Sequence, residues 1–169
     1  MPLMNASQAI HSFVDWIHLF CAIVWIGGLF FYVAVFLPSL KTLDTFASQR
    51  LIQVVGVRLR ALTLVCITAL LLTGLFLLQQ IIQGISSSEG FFTSPYGRIL
   101  AVKVLLGLAA ISAGSYIGFV LAPRLTEAIE TTNEMQIQAV GKKIGRFIIA
   151  SLVLGLLVSI CVALLHTTA

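Results

Sequence analysis

The sequence predicts an all-α protein, an integral membrane four-helix bundle. The first observation is composition: of the 169 residues, 59% are hydrophobic and only 9% are charged, whereas about 25% of the residues of a soluble domain are charged. The second is that the hydrophobic residues form four runs, each long enough to cross a hydrocarbon core of about 30 Å as a helix. The length allows a single transmembrane domain, residues 1–169, whose solvent is the lipid bilayer.

The four predicted spans follow one another through polar connections. Pro38 and Pro123 are expected to end the first and third helices, because proline commonly follows a helix end. The segment 84–97 is rich in Ser and Gly and is predicted to be a loop. The spans cover approximately residues 13–37, 61–82, 99–121 and 144–165.

Basic residues orient the predicted bundle through the positive-inside rule. Eight Lys and Arg residues lie in the first and third connections, while the two ends and the second connection contain at most two. Both termini are therefore expected on the outer, periplasmic side of a cytoplasmic (inner) membrane. Basic residues set between apolar runs do not form a nucleic-acid patch, so no nucleic-acid partner is expected. The eight residues are Lys41, Arg50, Arg58, Arg60, Arg124, Lys142, Lys143 and Arg146.

A shift of 85 residues aligns the two halves of the chain without a gap. Between Val35 and Gly56 this shift gives seven identities in 22 positions. It predicts an internal repeat of two duplicated hairpins, related by a pseudo-twofold axis along the membrane normal. Similar apolar composition is the simpler explanation, but it accounts poorly for the shared Ile-Gln-x-Val-Gly. The same shift places His18 on Lys103, at equal depth in the bundle.

The first predicted helix carries a stripe of chemically capable residues. His11, His18 and Trp25 follow one another at intervals of seven, nearly two helical turns. Asp15 lies between the two histidines and can orient either ring. Ionisable groups inside a span cost about 2.5–3.5 kcal/mol on insertion scales and usually mark function. His18 is therefore the leading candidate for a metal ligand.

The other polar groups return to the same outer half. An even number of spans brings His166 back to the side of His11, and these two are the predicted partners of His18. Arg98 and Lys103 of the third helix are expected to neutralise carboxylates, either haem propionates or the side chain of Asp15. The candidate cofactor-binding residues are Arg98, Lys103, Trp25 and Asp15.

Each candidate also has a plain structural explanation. His11 and His166 lie at the lipid–water boundary, Trp25 can serve helix packing, and Lys103 can snorkel to the surface. The cysteines lie dispersed in apolar runs and are expected to be core residues without disulfides. They are Cys21, Cys66 and Cys161.

The first helix resembles the opening helix of the copper resistance protein D domain family, in which a His is followed seven residues on by Trp-x-Gly-Gly. Here these are His18 and Trp25-Ile26-Gly27-Gly28. Residues 96–103 read Tyr-Gly-Arg-Ile-Leu-Ala-Val-Lys, similar to the family's Tyr-Gly-Arg-x-Leu-x-x-Lys. The resemblance implies copper uptake or tolerance in the cytoplasmic membrane and a metal site in the outer half. The His-x6-Trp pattern also resembles the related oxygen-independent membrane protoporphyrinogen oxidases, a haem-linked family.

Three functions remain open from the sequence. Copper handling follows from the resemblance, with copper bound at histidines and a periplasmic copper or electron carrier as partner. Haem b is the alternative cofactor, since two histidines, small residues and cations could serve its iron, ring and propionates. A structural subunit of a larger membrane complex, or a homo-oligomer, is the third. By itself the chain is not expected to be an enzyme, although porphyrinogen oxidation, beside electron transfer, belongs to the haem alternative.

Overall fold

The computed structural model describes residues 6–83 and 94–168, with the side chains of residues 8–83 and 94–165. The described residues contain four helices long and apolar enough to cross a membrane, which confirms the all-α membrane fold. The first span is formed by α1 (Ala6–Phe31) and α2 (Leu37–Leu40), and the second by α3 (Thr45–Gln83). The third is formed by α4 (Pro95–Tyr116) and α5 (Ala122–Glu130), and the fourth by α6 (Glu134–Thr168).

Prolines do not end the first and third spans, so this expectation from the sequence is wrong. Each span instead passes through a π-helical turn, at Tyr32–Phe36 and at Ile117–Leu121, and continues past its proline. In the π turn a backbone N–H donates to the carbonyl five residues earlier instead of four, as the Leu37 N–H does to the carbonyl of Tyr32. This spacing relieves the clash between a proline ring and the preceding helical turn. The two π turns begin 85 positions apart.

Polar side chains cap the helices at the connections. Asp44 accepts from the Ala47 N–H at 2.8 Å at the start of α3, and Asn133 accepts from the Gln136 N–H at 3.1 Å at the start of α6. These caps satisfy backbone donors that lack a helical partner. The predicted loop 84–97 lies mostly outside the described residues. Its last part is helical, because Ser94 caps α4 by accepting from the N–H of Gly97 at 3.0 Å.

The core lies between the four spans, while large apolar side chains also cover the outside of the bundle. Trp16 and Phe13 are 70% and 67% exposed in the isolated chain, as expected for side chains that contact lipid. Inside, α1 packs mainly on α3, and α4 packs mainly on α6. A Cβ atom added at Gly114 would lie 3.2 Å from Cζ2 of Trp25, so glycine here permits the close approach of α4 to α1.

Candidate functional site

His18 lies half-buried at the contact of α1 with α3, where a hydroxyl fixes its ring. Its Nδ1 is 2.7 Å from Oγ1 of Thr73. The Thr73 hydroxyl donates to the carbonyl of Ala69 at 2.6 Å. Because a hydroxyl carries one proton, its oxygen accepts from the N–H at Nδ1 of His18. The lone pair of the neutral ring is then on Nε2, the nitrogen left for a ligand.

Glycine allows this histidine to reach the second span. A Cβ atom added at Gly74 would lie 3.4 Å from Cε1 of His18 and 3.9 Å from Nδ1. The ring therefore lies directly against the backbone of α3, beside the threonine that binds it. Thr73 and Gly74 act together, one supplying the hydrogen bond and the other supplying the space.

Two charged side chains lie near the histidine. Asp15, one turn before His18 on α1, and Lys103 of α4 both lie within electrostatic range of the imidazole. Lys103 is half-buried and also lies within range of Asp15 and Cys161. The structure thus brings together His18, Asp15 and Lys103 from the first and third spans. We call this group the histidine cluster, and the half of the bundle that holds it the histidine end.

The remaining predicted residues of this end have different surroundings. His11 is half-buried, its ring centroid lies 5.8 Å from that of Phe76, and its buried Nδ1 has no hydrogen-bond partner among the described residues. Arg98 is exposed in the first turn of α4. His166 belongs to α6, but its side chain is outside the described residues. Among the side chains that are described, no group of three or more His, Cys, Asp or Glu could hold a metal ion.

A partly open cavity of approximately 150 Å³ lies in the opposite half of the bundle, which the sequence did not reveal. This half contains the eight basic residues that the sequence assigned to the first and third connections, and we call it the basic end. Only Lys41 lies in a connection, because the other seven belong to helical segments. Trp25, Tyr32 and Cys66 line the cavity, together with Arg60 at its wall. Trp25 is only 7% exposed, yet its indole nitrogen has no partner among the described residues. In the sequence, the glycines near these aromatic residues and on the facing helices were the signal that could have indicated a cavity.

Two of the three cysteines are not dispersed in the fold, contrary to the sequence-based expectation. Cys21 of α1 and Cys66 of α3 are 9% and 4% exposed and belong to one core cluster. The two thiols lie within electrostatic range of each other where α1 packs on α3. Both are free thiols, so the expectation of no disulfide agrees with the described cysteines. The pairing was invisible in the sequence because 45 positions separate the two residues.

The fold and this pattern of polar groups define a multi-pass membrane protein with ionisable side chains held inside its bundle. The family model of copper resistance protein D (CopD) matches residues 53–165, more than half of the chain, and the chain belongs to this family. The family suggests a membrane protein of copper resistance or uptake. The matched range includes Thr73, Arg98 and Lys103, whereas His18 precedes it. No curated protein and no solved structure matches the chain.

Proposed function

We propose that this protein handles copper in the cytoplasmic membrane, in uptake or tolerance, and that His18 is its first copper ligand. The observation that carries the proposal is the hydrogen bond from His18 to Thr73, which leaves Nε2 of the ring free. Imidazole is a ligand for both copper states. Metal-binding histidines commonly donate their other ring N–H to an oxygen in this way. Copper is the cargo of this protein, an ion that enters the site and leaves it.

The neighbouring charges suit such transient binding. The carboxylate of Asp15 attracts a cation to the histidine, while the ammonium group of Lys103 opposes its retention. A conducted ion must bind well enough to enter a site and weakly enough to leave it. His166 and His11 complete the proposal as further ligands nearer the surface, and Arg98 supplies a positive charge at the first turn of α4.

The orientation of the protein follows from the same proposal. The eight basic residues at this end of the spans support a cytoplasmic location of the basic end. Both termini and the histidine end then face the outer side, where a periplasmic copper carrier could deliver the ion. A single transmembrane domain, with or without further copies in a larger complex, is sufficient for this arrangement.

We also propose that the two hairpins arose by duplication. The π turns at Tyr32–Phe36 and Ile117–Leu121 support it, because they repeat at the same 85-residue shift as the sequence identities. In a duplicated bundle, His18 and Lys103 occupy equivalent positions on α1 and α4. One half of the repeat then supplies the copper ligand His18, and the other half supplies the ammonium group of Lys103.

Haem b is supported less well by the described residues. A haem needs a cleft between its axial ligands, but the 150 Å³ cavity lies at the basic end and no histidine lines it. No observation favours the related porphyrinogen oxidation either. A structural subunit without a centre remains the outcome if the copper experiment fails.

The experiment compares two neighbouring substitutions on α1. His18→Ala removes the proposed ligand, while Leu19→Ala alters the next side chain, which is 57% exposed on the outside of the bundle. We expect His18→Ala to change cellular copper content and to lower copper bound by the purified protein, with Leu19→Ala like the wild type. Equal copper content in all three proteins would refute the proposal. A Soret band that is lost in His18→Ala would establish haem instead.

A further inference from the structure

The cysteine pair of Cys21 and Cys66 lies between the histidine cluster and the basic-end cavity. Cys21 follows His18 by three residues on α1, about 4.5 Å along the helix axis towards the basic end. Its partner Cys66 lines the cavity on the other side. Along the bundle axis the order is therefore the imidazole, the cysteine pair and the cavity.

We propose that Cys21 and Cys66 form a buried two-sulfur site that binds Cu(I) on its way between the histidine cluster and the basic end. The proposal rests on the proposed copper function. It adds that the interior of the bundle accepts copper as Cu(I). Cu(I) is a soft ion that prefers thiolate sulfur over oxygen ligands. Two sulfurs from facing helices, both nearly excluded from solvent, offer such ligands in an apolar environment.

Binding exchanges protons for the metal ion without a change of oxidation state. The two S–H bonds break, two S–Cu bonds form, and both protons leave to water at the basic end. The product is a bis-thiolate with one net negative charge. Arg60 lines the same cavity as Cys66 and supplies a positive charge at its wall. An ion pair of this kind reduces the cost of a charge held inside the membrane.

The surroundings of the pair distinguish it from simple core packing. Trp25, one turn beyond Cys21 on α1, also lines the cavity, and its aromatic face is a favourable wall for a cation. Cys66 therefore adjoins a cavity whose lining includes both an aromatic ring and the cationic side chain of Arg60.

Cys161 provides a matched control, because it is buried to 8% exposure on α6 but belongs to neither the pair nor the cavity lining. The full chain is purified in detergent and titrated with Cu(I), without oxygen, against the chromogenic chelator bicinchoninate. We expect wild type and Cys161→Ser to hold one Cu(I) tightly. We expect Cys21→Ser and Cys66→Ser to bind at least about 100-fold more weakly, because changes around a ligand alone cost about 10- to 100-fold.

X-ray absorption of the Cu(I)-loaded wild type removes any dependence on how the variants fold. Two sulfur neighbours at low coordination number support the site. Only nitrogen or oxygen neighbours, no bound Cu(I), or equal affinity in all four proteins would overturn it. His18→Ala separates this inference from the proposed function. If this variant leaves cellular copper content unchanged while the purified protein still binds Cu(I) through its cysteines, only the role of His18 is refuted. A copper phenotype for His18→Ala with wild-type Cu(I) affinity in both thiol variants refutes the thiol site alone.

Discussion

Replacing Thr73 by valine tests the hydrogen bond on which the histidine site depends. Valine keeps the shape of threonine but removes the oxygen that lies 2.7 Å from Nδ1 of His18. Typical hydrogen bonds contribute about 0.5–1.5 kcal/mol, and side-chain bonds between membrane helices average about 0.6 kcal/mol. We therefore expect Thr73→Val to lower the free energy of unfolding by about 1 kcal/mol.

The effect on copper is expected to be larger than the effect on stability. Without the acceptor at Nδ1, the ring is free to rotate and to place its proton on Nε2, so copper affinity falls about 10- to 100-fold. Thr73→Ser is the matched control, because serine retains the hydroxyl and loses only a methyl group. Unfolding is followed by helicity during an SDS titration, and affinity by chelator competition.

A double-mutant cycle with His18→Ala isolates the pairwise contribution of the hydrogen bond. The two side chains are in direct contact, so their effects on unfolding are expected to be non-additive by at least about 0.5 kcal/mol. Additive effects, or a Thr73→Val protein with the copper affinity of Thr73→Ser, would refute the argument that this hydroxyl fixes the tautomer of His18.

Three further predictions concern the bundle as a whole. Cysteines introduced by Ser7→Cys and Thr42→Cys should differ in intact cells, the first labelled by an impermeant maleimide and the second only after permeabilisation; the reverse pattern would invert the orientation. Gly114→Ala places a Cβ atom 2.9 Å from a side chain of α3 and should lower the free energy of unfolding by about 1–3 kcal/mol. Gly107→Ala meets nothing within 4 Å and should be neutral or slightly stabilising, so equal destabilisation of both would contradict the packing argument. In an experimental structure the two hairpins should superpose with the 85-residue shift, and a different best register would exclude duplication.

Much of the histidine cluster could be predicted from the sequence because helix periodicity is a local property. Intervals of three and seven residues place Asp15, His18 and Trp25 in order along α1 without knowledge of any neighbour. The depth of Lys103 followed from the number of spans and the length of each. Lys103 thus lies at the depth of His18 because of the topology, which the lengths of the apolar runs and the positions of the basic residues specify.

Contacts between helices could not be predicted in the same way. The bond from His18 to Thr73 and the meeting of Cys21 with Cys66 depend on how α1 and α3 are rotated and inclined against each other. Many side chains of similar size and polarity line both helices, so composition does not select one rotation. The close approach of Gly74 to the imidazole ring shows how a small residue selects one rotation of the two helices.

The sequence by itself determined that this chain is an integral membrane protein, that it has four spans, and which half of the bundle contains its histidines. Those properties depend on hydrophobicity and periodicity summed over many residues, which single contacts do not alter. The tertiary structure alone decided which nitrogen of His18 is free, which cysteines meet, and where the cavity lies. It also decided that the chain passes Pro38 and Pro123 through π turns. These features depend on close packing between distant segments, where a shift of an ångström makes or breaks a contact.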